Sequence, residues 1–114
     1  MSLFKILLIC SSVFISFLSF AIDESKLKIY DLQEFVKHNG KESCWVLMDK
    51  YIYDVTTFLD DHPGSYKILF KCCAKDCTKG YQDKGIGEAH SSKSDKMRDN
   101  MIIGILKEKM EQKK

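Results

Sequence analysis

The sequence lacks what would mark a nucleic-acid binder, a zinc protein or a multidomain enzyme. Its charge is nearly balanced, with Lys and Arg numbering 18 against 16 Asp and Glu, for a formal net charge of +2. Lys5 supplies one unit of that, which leaves residues 23–114 near +1. No basic run is interleaved with aromatics, so nucleic acid is excluded as a partner. There are no internal repeats and no low-complexity tract. Cys72, Cys73 and Cys77 lie close together, but no second cysteine pair or nearby histidine completes a zinc set. The 114 residues carry no appended oxidase, desaturase or flavin domain, and the chain reads as a non-enzyme. One small domain fits this length. Its core is modest and its stability marginal. A cofactor that binds only the folded form therefore adds stability.

Residues 1–22 stand apart. They hold one charge, Lys5, and an apolar stretch from Ile6 to Ile22 interrupted by serines and Cys10. A positive start, an apolar stretch and small residues (Ser19, Ala21) before Ile22-Asp23-Glu24 read as a targeting segment. Two versions stand open: a signal peptide that is removed, or an uncleaved signal anchor. About 20 apolar residues span a bilayer. Residues 3–22 nearly reach that, although Ser11, Ser12, Ser16 and Ser19 dilute them. Either version predicts entry to the secretory pathway and the endoplasmic reticulum through the N-terminus. Lys5 favours a cytosolic N-terminus, which puts an anchored domain on the far side. Residues 108–114 form a hydrophilic tail and no tail anchor is expected. The division expected is thus 1–22, 23–107 and 108–114.

Residues 27–30 alternate like a strand. Asp31 predicts a helix cap, with Glu34 completing a capping box, and the helix over 32–38 stops near Asn39-Gly40. Residues 44–48 and 51–55 predict a hairpin about Asp49-Lys50. A short helix follows from Thr56 or Thr57 to Asp61. His62-Pro63-Gly64-Ser65 breaks the chain, and Tyr66–Cys73 predicts a helix with Ile68 and Leu69 inward. Residues 76–81 start another helical turn, 84–89 form a loop, 91–100 a helix and 101–106 a last apolar segment. The order predicts an α+β fold.

The histidines are His38, His62 and His90. His38 ends a charged helix and reads as a solvated or C-capping residue. His62 and His90 each have apolar neighbours within a turn: Phe58, Leu59, Ile68 and Leu69 about the first, Met97 and Ile102 beyond the second. Helix pairs each offering one imidazole could clamp a flat metallated ring, but spacing alone leaves ordinary surface or core histidines as the stronger reading.

The surrounding words are more specific. Tyr53-Asp54-Val55-Thr56-Thr57-Phe58-Leu59-Asp60-Asp61-His62-Pro63-Gly64-Ser65 closely resembles the haem-binding signature of the cytochrome b5 family. Trp45-Val46-Leu47 resembles its core strand, Asp76-Cys77-Thr78-Lys79-Gly80-Tyr81 the segment after the first haem helix, and His90-Ser91 with Met97 and Ile102-Ile103-Gly104 the second-histidine helix and closing strand. The likeness covers about residues 26–107, with its parts in order. It implies a small mixed sheet with short helix pairs around one haem b, with His62 and His90 as axial iron ligands. Val55, Phe58, Ile68, Leu69, Tyr81, Met97 and Ile102 would line the slot, and Ser91 would sit near a propionate. Trp45 would belong to the core. Pro63-Gly64 would force the turn that aims the first imidazole.

Two histidines would saturate the iron and leave outer-sphere electron transfer. A reductase would load the electron, and an oxidase, desaturase or hydroxylase would take it. The alternative is a haem- or steroid-binding regulatory module without electron transfer, a class that generally lacks the paired histidines. This sequence departs from the family in three places. Ser65 replaces the second glycine of a His-Pro-Gly-Gly turn and is strained if that position needs positive φ. The two histidines lie farther apart than in compact members, with the extra length expected at Gly85–Ala89. Only Asp60 and Asp61 remain of an acidic rim, beside Tyr66, Lys67 and Lys71, so partner choice is expected to differ. Cys44, Cys72, Cys73 and Cys77 read as small packed thiols, although an oxidising lumen would let them pair.

Overall fold

The computed structural model describes residues 22–83 and 90–113. The targeting segment up to Ala21 and the loop at 84–89 fall outside the described residues. A 3₁₀ turn at Glu24–Lys26 leads to β1 (Lys28–Tyr30), α1 (Leu32–Phe35), β2 (Asn39–Gly40), β3 (Ser43–Met48) and β4 (Tyr51–Asp54). A 3₁₀ helix at Thr56–Asp61 then leads to α2 (Tyr66–Phe70), β5 (Lys75–Asp76), α3 (Thr78–Asp83), α4 (Ser92–Asp99), β6 (Ile102–Leu106) and α5 (Lys107–Met110). The strands form one mixed sheet in the order β1-β6-β4-β3-β2, with β5 parallel to β3. The fold is α+β.

The β3–β4 hairpin is its centre, with Leu47 opposite Ile52 and Asp49 taking the left-handed turn position at φ 56°. Alternation along β3 sends Cys44, Val46 and Met48 to one face and Trp45 and Leu47 to the other. Both faces are covered. Phe35, Ile52 and Leu106 close the Trp45 face, while Tyr53, Val55, Leu59 and Cys73 close the Cys44 face. Parallel pairing of β1 on β6 brings the Lys28 carbonyl and the Tyr30 ring against Gly104, where a Cβ would collide with both. Glycine is required there.

Several expectations need correction. The α1 helix stops at Phe35, and Asn39-Gly40 is no simple stop but a short strand paired with Ser43 and Cys44. Asp31 caps α1 by accepting from Glu34 N at 2.8 Å. The Glu34 carboxylate does not reach back to Asp31 but binds Lys37 and His38, and the His38 bond first and Lys37 second hold it below the usual carboxylate range. His38 is therefore not solvated. Its ring stacks on Trp45 at 3.4 Å, and Nδ1 meets Ser43 Oγ at 2.6 Å. At Ser65 the condition for strain is not met, so the serine is tolerated as expected: its φ is 175° and the positive φ, 96°, falls on Gly64.

The cysteines are not packed thiols. Cys44 is bonded to Cys73, and Cys72 to Cys77. These bonds end α2 at Phe70, turn the chain at Ala74 (φ 57°) and lay β5 along β3. Leu69, Cys72 and Cys73 share the inward face of this segment at helical spacing. Ile68 lies about 100° round from that face and is 59% exposed, contrary to the inward placement expected of it.

Candidate functional site

The 3₁₀ helix runs off the end of β4, where Val55 N binds the Cys44 carbonyl, and delivers His62 at its C-terminus. Pro63 and the left-handed Gly64 then turn the chain into α2. This turn brings the Ser65 carbonyl within 3.2 Å of His62 Nδ1. His90 is held in the same way. It precedes α4, whose N-terminus is capped by Ser91, and its Nδ1 meets the Tyr81 carbonyl of α3 at 2.5 Å. A carbonyl only accepts, so each imidazole donates from Nδ1 and carries its lone pair on Nε2. Such outer contacts fix the tautomer and ring orientation of metal-binding histidines.

The rings are also packed. Phe58 meets His62 edge-on at 5.9 Å, and Tyr81 stacks on His90 at 4.0 Å and 3°. The Tyr81 hydroxyl donates to Asp95 Oδ1 at 2.8 Å, and the Arg98 guanidinium lies over the same ring at 4.8 Å. Burial, then the Asp95 bond, holds the Tyr81 hydroxyl protonated far above its ordinary range. Arg98 also lies over Tyr53 at 5.8 Å, whose hydroxyl burial pushes up to about 12. Tyr81, Gln82, His90, Asp95 and Arg98 line a cleft of about 300 Å³. A second cleft, at the other end of the sheet, is lined by Glu24, Asp49, Lys50, Tyr51, Lys109 and Gln112, and no histidine borders it.

The residues expected to line a slot divide into groups. Val55 is buried in the Cys44-face core, and Leu69, Tyr81 and Ile102 pack half-buried against that core. Phe58 is half-buried against His62. Ile68 and Met97, at 59% and 44% exposure, present apolar surface to solvent on α2 and α4. Ser91 Oγ accepts from Ser94 N, and its observed role is a helix cap. Asp95 and Arg98 were missing from the expected set. Their i,i+3 spacing on one helix was the available signal. Among the described residues no cluster of three or more His, Cys, Asp or Glu could hold a metal ion. No helix among them is long and apolar enough to cross a membrane.

The donor set fits a haem. It offers two imidazoles with oriented Nε2 lone pairs, aromatic rings against both, and exposed apolar side chains on the helices that follow each histidine. Comparison with known proteins agrees. Residues 28–107 match the model of the cytochrome b5-like heme/steroid binding domain. Over 77 residues the chain is 42% identical to a cytochrome b5 of Cuscuta reflexa, covering 68% of this chain and 54% of that protein. The chain thus spans about half the length of the plant cytochromes b5 that it matches. Among solved structures, cytochrome b558 of Ectothiorhodospira vacuolata superposes with a TM-score of 0.67 at 28% identity, covering 70% of this chain and 99% of that one. The cytochrome b5 of Ostreococcus tauri virus 2 gives 0.56 at 33% identity, covering 68% and 94%. A match of this extent, on a chain whose two site histidines are anchored alike, shows that the protein belongs to the cytochrome b5 family.

Proposed function

We propose that the chain binds one haem b through Nε2 of His62 and of His90 and carries single electrons between a reductase and an acceptor. The observation that carries this reading is the matched anchoring of the two imidazoles, each with Nδ1 on a backbone carbonyl. The haem would supply a one-electron iron couple whose axial positions are both filled. His62 and His90 would hold the iron. Phe58 and Tyr81 keep the two rings from turning, and Ile68 and Met97 gain cover for their exposed surface. Visible spectra of the oxidised and reduced full chain test this. A low-spin spectrum is expected in both states, and His62→Ala or His90→Ala should leave a high-spin or haem-free protein. Single variants that both keep the parent spectrum would refute the ligand assignment.

The two disulfides support a working place in an oxidising compartment. They agree with the reading of residues 1–22 as a signal or signal anchor. N-terminal sequencing of the native protein separates the two: a start at Ile22 marks cleavage, and a start at Met1 or Ser2 marks an anchor. A full-length chain soluble in the cytosol would count against both.

A further inference from the structure

The helix that follows His62 carries more than an apolar edge. From His62 to Lys75 the chain has no acidic residue, while Lys67, Lys71 and Lys75 occur in that span. Lys67 and Lys71 are exposed and one turn apart on α2. Lys41, from the turn between β2 and β3, lies over the Tyr66 ring at 4.1 Å. Tyr66 meets Phe70 at 6.5 Å, and Phe70 is 36% exposed. None of these lysines has an ion pair among the described residues. The nearest acids in sequence are Glu42, exposed beside Lys41, and Asp60 and Asp61, which precede His62. Asp76 is already engaged by Thr78 and Lys109.

This patch is also rigid. Cys44–Cys73 ties the end of α2 to the central strand, and Cys72–Cys77 closes the turn that carries Lys75. Exposed apolar and aromatic side chains ringed by unpaired cations have the make-up of a docking face, with an apolar centre and a charged rim. A face held in place before binding loses less entropy on contact.

We infer that the α2 face, built on Lys41, Tyr66, Lys67, Phe70 and Lys71, is the docking surface for an acidic redox-partner protein. The inference rests on the electron-carrier reading and adds the chemistry of the partner. Unlike charge attracts the partner from a distance. The Tyr66–Phe70 pair then gives it an aromatic anchor directly beside the turn that aims His62. One electron crosses at contact. With haem held by His62 and His90, the reduced partner's centre would lose the electron that the ferric haem iron would gain, with no bond or proton moved.

The test mixes the oxidised full chain with a reduced acidic [2Fe–2S] ferredoxin, used as a probe, and follows haem reduction by stopped flow. The second-order rate should fall as ionic strength rises. The double variant Lys67→Glu/Lys71→Glu should be slower by about tenfold at low salt and should converge with the parent at high salt. Lys107→Glu, at the far end of β6, should change nothing. Should the double glutamate variant lose its haem spectrum, Lys67→Gln/Lys71→Gln removes the charge without reversing it and should show a smaller fall of the same kind. A rate that is flat or rising with salt in the parent overturns the inference, and so does a charge variant as fast as the parent. Binding that increases on phosphatidylserine vesicles over phosphatidylcholine vesicles, and loses that increase in the variant, assigns the patch to a lipid surface and also overturns it. Absence of any haem spectrum in the parent is a failure of the function proposed above, visible before mixing.

Discussion

At the residue scale the site depends on which nitrogen of each imidazole is occupied. Nδ1 is spent on a backbone carbonyl at both His62 and His90, so orientation comes from the chain and the Nε2 lone pair stays free of that bond. Tyr81 secures His90 twice, through its carbonyl and through its stacked ring. Its hydroxyl makes a separate contribution through Asp95. Tyr81→Phe should keep the stack and the low-spin spectrum while lowering stability by about 1.5–3 kcal/mol, the usual worth of a bond to a charged group. Tyr81→Leu should lose the stack and release haem faster. Denaturant melts and the rate of haem transfer to apomyoglobin would check both, and a Tyr81→Leu variant that retains haem as well as the parent would count against the stack. The family and the Pro63-Gly64 turn were legible in the sequence because the residues around His62 and His90 form ordered words. The placement of His38 was not. Its stacking on Trp45 depends on β2 pairing with β3, a contact that a local reading of Lys37-His38-Asn39-Gly40 cannot supply.

At the element scale the hairpin, the cap at Asp31 and the helix before β6 were readable from alternation and capping. The segment from Tyr66 to Asp76 was not. Helical spacing continues through Cys73, but the two disulfides and the left-handed Ala74 end the helix and create β5, a long-range effect with no local signature. Loop-closure entropy gives the bonds unequal weight. The separation of 29 residues for Cys44–Cys73 corresponds to about 3.6 kcal/mol, and 5 residues for Cys72–Cys77 to about 2 kcal/mol. Cys44→Ala/Cys73→Ala should therefore shift the denaturant midpoint more than Cys72→Ala/Cys77→Ala. The reverse order would mean that residual structure or packing, and not loop length, sets the gain. Reduction of the parent should cost at least as much as the larger of the two.

At the scale of the whole molecule the two helix-bearing walls of the site are built unequally. The wall containing α2 is stapled just past that helix at Cys72 and Cys73 and leans on the Cys44-face core through Leu69 and the buried Cys73. The α4 segment has no disulfide, and like α2 and α3 it holds no buried residue. It is held to α3 by the Tyr81–Asp95 bond, by His90 on the Tyr81 carbonyl and ring and by Arg98 over Tyr81, and to β4 by Arg98 over Tyr53. Few buried contacts and exposed backbone bonds mark the regions that open first. A haem bound through Nε2 of His90 would add a further tie, because a ligand that binds only the closed form stabilises it by mass action. Without haem, amides of α4 at 92–99 should exchange rapidly while 72–77 stay protected. With haem, protection of α4 should rise towards that of the stapled wall, and the melting temperature should rise with it. Hydrogen exchange read segment by segment on the two forms checks this. Equal protection of α4 with and without haem would mean that His90 is not a ligand or that α4 is held by contacts other than these.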